Sequence, residues 1–376
     1  MNYEIVNSVE WRKKCADSLR ANVAKASGMS AFIGMDGFID EIVHIVDKRI
    51  NPTEYSRLGT IDKFAERIAA AAGKSTNFEM VAQLVKLGGN GPIMANAIAN
   101  FGVKLSYLGS LNYPDIHPVF KEFAAKGDVH SIANAGRTDA LEFDDGKLIM
   151  GRMTQLNEVN WENIVARYGK EKFVEKFTSS DFVGFVNWTM LPYMSDIWEV
   201  VLKEICPTMG GRRRTLFFDL ADPEKRSRED IKRALDLICK FEQYFDVILG
   251  LNEKEGYEIG EVLSFDTSDH SSDGLAGLAL KIQSQLKINT LVIHPVAYAL
   301  AVSDGKVSIV KGPFCEKPLI STGAGDHFNS GFCLGKMLGL DNVQSLLTAV
   351  STSGFYVRTA NSPSMSDLAA FLENWA

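Results

Sequence analysis

The chain has little of what would mark a secreted, membrane-bound or nucleic-acid-binding protein. No stretch approaches the ~20 consecutive apolar residues that a membrane span needs. Met1–Arg20 mixes Glu10, Arg12, Lys13, Lys14 and Asp17 among its apolar residues, which is unlike a signal peptide. The five cysteines (Cys15, Cys206, Cys239, Cys315, Cys333) are odd in number, scattered and never spaced C-x-x-C. This pattern argues against a disulfide framework or a zinc site and fits reduced thiols in a cytosol. The formal net charge of -7 argues against nucleic acid as a partner. The one basic run, Arg212–Arg214, precedes an apolar segment and reads as a solvated loop. The expectation is a cytoplasmic protein with neither membrane nor nucleic acid among its partners.

The common nucleotide and metal motifs are missing as well. Ile68–Ser75 (IAAAAGKS) lacks the first glycine of a P-loop and sits in an alanine-rich helical run. There is no G-x-G-x-x-G, no H-E-x-x-H and no internal repeat. Any handling of phosphate must therefore use another device.

What is present is an alternation of buried-strand and helix patterns. With 46% hydrophobic and 23% charged residues over 376 positions, the chain can bury a large core. Six short apolar runs each end in polar residues. Ser30–Gly34 leads to Asp36, Lys104–Leu111 to Asn112, and Phe182–Val186 to Asn187. Thr215–Phe218 leads to Asp219 and Asp222, Val247–Leu251 to Asn252, and Thr290–Ile293 to His294. Helix-like segments such as Pro92–Phe101, Glu229–Phe241 and Leu275–Leu286 lie between them. The alternation predicts an α/β fold, a doubly wound, mostly parallel sheet with helices on both faces. Ligands of such sheets bind at the carboxyl ends of the strands, where these polar residues fall.

Other pieces break the alternation. Asp139–Met150 reads as a hairpin around Asp145-Gly146, and Glu41–Arg49 and Phe78–Leu87 read as extended segments flanking a helix at Ile61–Ala72. Together they predict a small β-rich layer beside the main sheet. Tyr298–Val310, around Asp304-Gly305, predicts a second hairpin bordering the sheet itself, and the polar segment Leu263–Gly274 reads as a surface loop.

The phosphate device is Ser321–Phe332, STGAGDHFNSGF. Small residues run directly into an amphipathic helix, so Gly323, Ala324 and Gly325 present backbone N–H groups at a helix N-terminus, which favours an anion. Asp326 follows in the first turn. A carboxylate beside an anion site is explained by phosphoryl transfer, in which it accepts the proton of an attacking hydroxyl. On these residues alone it is equally a carboxylate that stabilises the helix dipole.

STGAGDHF resembles the second signature of the ribokinase-like (PfkB) carbohydrate kinases. Their first signature, a Gly-Gly helix start, is matched at Gly88-Gly89-Asn90-Gly91, and their N-x-x-E element at Asn252-Glu253-Lys254-Glu255. The three matches come in family order and cover the chain from about Ser30 to its end. The resemblance implies one ribokinase-like domain over residues 1–376, with lid pieces near 41–87 and 128–152 that close over the acceptor; a homodimer through the lid is the matching expectation. It implies transfer of the γ-phosphoryl group of ATP to a hydroxyl of a sugar. Asp326 would be the base and the Gly323, Ala324 and Gly325 amides the anion hole. Asn252 and Glu255 would organise the water network around Mg2+, with no direct protein ligand to the metal assigned. Gly88, Gly89 and Asn90 would approach the acceptor, and Asp40, with Asp36 second, would hold its hydroxyls. A nucleoside acceptor, ADP as donor, or a non-catalytic sugar-binding relative are the alternatives.

The chain departs from the family at Ile320 and Ser321, where the pattern has Asp-Thr, which leaves a monovalent-cation requirement open. His294-Pro295-Val296 replaces the usual Thr-x-Gly after its strand. His294 and His327 read as structural, at a strand end and on a helix surface.

Overall fold

The apolar runs do bury both faces. In the computed structural model, which describes residues 5–6 and 8–375, ten strands form one sheet. Their ranges in chain order are β1 (Ile5–Val6), β2 (Ser30–Met35), β6 (Lys104–Gly109), β7 (Gly127–Ser131), β10 (Phe182–Phe185), β11 (Arg214–Asp219), β12 (Phe245–Asn252), β13 (Thr290–His294), β14 (Tyr298–Ser303) and β15 (Lys306–Lys311). Across the sheet the order is β1-β15-β14-β13-β12-β11-β10-β2-β6-β7. All pairings are parallel except β13–β14 and β14–β15, the hairpin read at Tyr298–Val310.

The two-residue period of a strand deals alternate side chains to two separate cores. On β12, Val247, Leu249 and Leu251 enter one core and Ile248 the other. On β11, Leu216 and Phe218 oppose Phe217 in the same way. Helices Lys170–Ser179, Arg228–Phe241 and Ser272–Leu286 cover the first face, and Val9–Ala21, Asn90–Asn100, Ala324–Leu338 and Asn342–Thr359 cover the second. The last of the first group begins inside the segment read as a loop, because Ser271 caps it by accepting the Gly274 N–H. Among the described residues no helix is long and apolar enough to cross a membrane.

A five-stranded sheet stands beside the main one: β3 (Phe38–Arg49), β4 (Tyr55–Arg57), β5 (Met80–Gly88), β8 (Gly136–Phe143) and β9 (Gly146–Arg152). Helix Ile61–Ala70 packs on it through Phe64, beside Val43, Ile45, Leu141 and Phe143. Residues 128–131, placed with the lid on sequence, pair with β6 and belong to the main sheet. That strand is a partly exposed edge with no residue fully buried, so its hydrophobic pattern does not announce its partner. The basic run is tied down more than a solvated loop: Arg213 pairs with Asp246 and Glu242, and Arg212 with Asp181.

After β2 the chain leaves for the small sheet and returns at β6 on one side of β2; later it crosses to β10 on the other. The crevice of this fold opens at that switch between β2 and β10. Asp36, one residue beyond β2, fills it with no exposed surface. Its carboxylate accepts the N–H groups of Asn90 at 3.0 Å and Gly91 at 2.7 Å, and the Asn187 amide at 2.6 Å. Its backbone carbonyl accepts the Tyr107 hydroxyl. Helix Asn90–Asn100 has no cap of its own, since Gly89 precedes it at φ 96°, and Asp36 supplies one from across the sheet.

Asp36→Ala is therefore expected to cost about 2 kcal/mol or more, from the lost cap and the buried donors left without a partner. Urea unfolding compared with Asp40→Ala, which leaves the cap in place, checks this; equal midpoints would contradict it.

Candidate active site

The parallel register carries five of the six strand-end polar positions to one edge. Asp36, Asn187, Asp219, Asn252 and His294 follow or end β2, β10, β11, β12 and β13. Asn112 does not join them; it turns the chain at φ 84° and its N–H is held by the Ala133 carbonyl.

The centre of the edge is the helix start read as the phosphate device. Helix Ala324–Leu338 begins after Gly323, which adopts φ 91°, a left-handed geometry that favours glycine. Of the three amides expected to form an anion hole, that of Ala324 already donates to the Ser321 carbonyl at 3.1 Å. Asp326 lies in the first turn and is 8% exposed. The helix dipole alone would favour its ionised form. Burial wins, and the neighbouring Asp219 and Asp36 charges add to it, so the Asp326 carboxyl is held well above its ordinary range. The nearby Asn90 side chain partly offsets this.

Asp219 is the chief charged neighbour. It accepts the Ala221 N–H and the Asn329 amide, both at 2.9 Å, and burial with the nearby Glu255 pushes it up too. Asn329 lies three positions beyond Asp326, on the same helix face. Asp219, Asn187 and Asn329 carry no site role in the sequence reading. The first two were visible only as strand-end polar residues, and Asn329 only through its spacing from Asp326.

Asn252 and Glu255 form a reciprocal cap. The Asn252 side chain accepts the Glu255 N–H at 2.9 Å and Glu255 accepts the Asn252 N–H at 2.8 Å. The second Glu255 oxygen accepts the Asp222 N–H at 2.8 Å. Both Glu255 oxygens are thus taken up by backbone N–H groups. Among the described residues no three His, Cys, Asp or Glu side chains gather as a metal cluster.

Of the two aspartates read as candidates to hold hydroxyls, Asp36 is enclosed and its carboxylate is taken up by the helix cap, whereas Asp40 is partly open. Asp40 stands on β3 between Lys86 and Thr138 of the adjoining strands. A Cβ on Gly88 would overlap the Asp40 carboxylate, so glycine there makes room for it. Gly88 and Gly89 thus cradle two carboxylates, Asp40 and Asp36, at the mouth of the crevice.

On the other side of Asp326 lies a cavity of about 330 Å³ lined by Gly325, His294, Phe328, Val350 and Gly354, with Val296 and Phe314 among the residues at its wall. Val296 and Phe314 are 93% and 72% exposed, an apolar pair with little else covering it. His294 leans on Phe328 with ring centroids 4.7 Å apart, and burial pushes its imidazole down to about 4. It is therefore a neutral wall at physiological pH. His327, read as a helix-surface residue, is instead buried, because the helix that carries it is enclosed on nearly every side.

A buried carboxylate at a helix N-terminus, between a polar crevice beside the small sheet and an apolar cavity, fits a small-molecule kinase of ribokinase-like fold. Solved structures bear out the fold. Arabidopsis thaliana ribokinase complexed with ribose and ATP has a TM-score of 0.65 at 15% identity, covering 92% of this chain and 98% of that one. Cryptococcus neoformans ribokinase in complex with ADP has a TM-score of 0.62 at 16% identity, covering 92% and 99%. The chain belongs to the prokaryotic ketohexokinase family, whose model matches residues 7–375. A ketohexokinase of Haloferax volcanii is 27% identical over 365 residues, 96% of each chain. The protein is a carbohydrate kinase, a phosphotransferase that uses ATP and an alcohol acceptor.

Because the Asp219 charge raises the Asp326 pKa, Asp219→Asn is expected to lower it. If Asp326 is the base it must be ionised to work, and the acid limb of kcat/KM against pH is then expected to move to lower pH in that variant. An unmoved or upward-shifted limb would show that the two carboxylates do not communicate.

Proposed function

We propose that this protein phosphorylates a ketohexose, with Asp326 as general base. The observation that carries this is the place of Asp326: buried, raised in pKa, and set between the Asp40–Asn90 crevice and the cavity walled by Gly325 and His294. The ketohexose is suggested by the family and by the Haloferax volcanii relative.

In this reading the sugar lies under the five-stranded lid, with Asp40 holding hydroxyls and the Gly88-Gly89-Asn90 backbone close against it. The nucleotide base enters the apolar cavity and its phosphates reach the Gly323–Gly325 turn. Asp326 takes the proton of the attacking hydroxyl, and its raised pKa makes it a stronger base than an exposed carboxylate once ionised. The Gly325 N–H and the positive end of the helix stabilise charge on the transferring phosphoryl oxygens. Closing the lid excludes water, the competing acceptor.

The carboxylate charges that raise Asp219 (from Glu255) and Asp326 (from Asp219) fit a divalent cation near them, and Glu255, with both oxygens bonded, fits water-mediated contact. Asn252 and Glu255 would hold the water shell of Mg2+, which supplies neutralisation of phosphate charge when bound.

The lid also supports a homodimer. Leu84, Ile42, Ala140 and Ile149 form one cross-strand row over β5, β3, β8 and β9, and its ends, Leu84 and Ile149, are 51% and 65% exposed. An apolar row on a flat sheet face suits pairing with a second copy. Ile149→Lys is expected to shift the protein to monomer in sedimentation velocity; an unchanged distribution would remove the lid from the interface.

Turnover with ATP is expected to be fastest with a ketohexose such as D-fructose when aldohexoses and nucleosides are assayed beside it. Asp326→Asn is expected to lose roughly 10²–10⁴-fold in kcat while calorimetry still detects nucleotide binding. Near-normal turnover in that variant would end the role of Asp326, and preference for another acceptor would end the ketohexose reading.

A further inference from the structure

His327 makes contacts that neither packing nor the proposed chemistry requires. Its Nδ1 lies 2.7 Å from the Gly323 carbonyl oxygen and its Nε2 lies 2.8 Å from the Ser362 hydroxyl. Its ring stacks on Tyr356 at 3.6 Å between centroids, with planes 12° apart. The Tyr356 hydroxyl in turn donates to the Thr322 carbonyl at 3.0 Å. Two successive carbonyls of the turn that opens helix Ala324–Leu338 are thus held by side chains.

The direction of these hydrogen bonds is fixed from the two ends, by Lys126 and by the Gly323 carbonyl. Lys126 has only donors, so its ammonium, 2.7 Å from Asn96 Oδ1, settles which end of that amide is the oxygen. The Asn96 amide nitrogen then donates to Ser362 Oγ at 3.1 Å. The Gly323 carbonyl can only accept, so the neutral His327 carries its proton on Nδ1, and its Nε2 accepts the Ser362 hydroxyl proton. Lys126 also orients Asn100, at 3.0 Å, and the Asn100 amide donates to the Ser362 carbonyl at 2.8 Å. Every donor in the chain points the same way, from Lys126 through helix Asn90–Asn100 to the Gly323 carbonyl. Burial that pushes the His327 imidazole down to about 4 keeps it neutral, as this arrangement needs.

We propose that His327 is a positioning residue: through a polarised chain Lys126–Asn96–Ser362–His327–Gly323 it holds the phosphate-binding turn in register with the acceptor-side helix. The inference rests on the reading of Gly323–Gly325 as the anion hole. Both carbonyls at the turn are occupied by protein donors.

Substitutions at His327 separate a clamp from packing because they rank in opposite orders. The amide nitrogen of Asn stands where Nδ1 stands and can still reach the Gly323 carbonyl, whereas that of Gln stands nearer Nε2. Phe keeps the stack on Tyr356 and loses both bonds. The clamp predicts that His327→Asn, which gives up the Ser362 bond but keeps the one to Gly323, loses less of kcat than His327→Gln or His327→Phe, with roughly a 10–100-fold loss for Phe and KM for the acceptor little changed. A packing role predicts that Phe does best and Asn worst, and that order overturns the proposal. Folded fractions are matched by thermal unfolding beforehand. The imidazole ¹⁵N shifts of the unmodified enzyme give a readout independent of any variant: a proton on Nδ1 is expected down to about pH 5, and a proton on Nε2 overturns the chain. Asp326→Asn, assayed in parallel, distinguishes failure of the clamp from failure of the underlying reading, since only the latter leaves that variant active.

Discussion

The Asp36 carboxylate is the contact on which the arrangement of the crevice depends. It lies where β2 hands the chain to the lid, and its bonds reach the start of helix Asn90–Asn100, the end of β10 and, through its carbonyl, Tyr107 of β6. An ionisable group with no exposed surface is costly to bury. Here three donors that would otherwise be orphaned face it, two of them at the head of a helix that lacks its own cap. Burial still pushes its carboxyl up to about 6. One residue thereby ties β2, β6, the end of β10 and helix Asn90–Asn100 together.

From that fixed point the site becomes a gradient of charge. Asp36, Asp219, Glu255 and Asp326 are all buried on one edge of the sheet; Glu255 and Asp36 push Asp219 up, and Asp219 and Asp36 push Asp326 up. A cluster of this kind works against stability, and a purely structural sheet edge has no use for it. It does suit a reaction that needs a strong base beside phosphate. Clamping the phosphate-binding turn through His327 and Tyr356 addresses the complementary need, which is to keep the backbone donors aimed while charge moves.

Much of this was legible before any fold was drawn. The alternation of buried strands and amphipathic helices, the Asp304-Gly305 hairpin and the STGAGDHF helix start depend on local periodicity and on glycine geometry, which a sequence displays directly. The Asn252–Glu255 pair was legible too, because a capping box is a spacing rule, and the structure shows that cap in full. The lid boundary was not: residues 127–131 are a weakly patterned edge strand, and only pairing with β6 assigns them to the main sheet.

The sequence by itself determined the periodic elements, the strand ends that carry polar side chains, and the small-residue turn ahead of Asp326, since each is written within a few neighbouring residues. Only the tertiary structure decided which polar groups meet. The contacts of Asp36 with Asn187, Asp219 with Asn329, and His327 with Ser362 span 151, 110 and 35 residues. Whether such groups become caps, bases or clamps is set by burial and by donor direction, quantities that exist only once distant segments pack together.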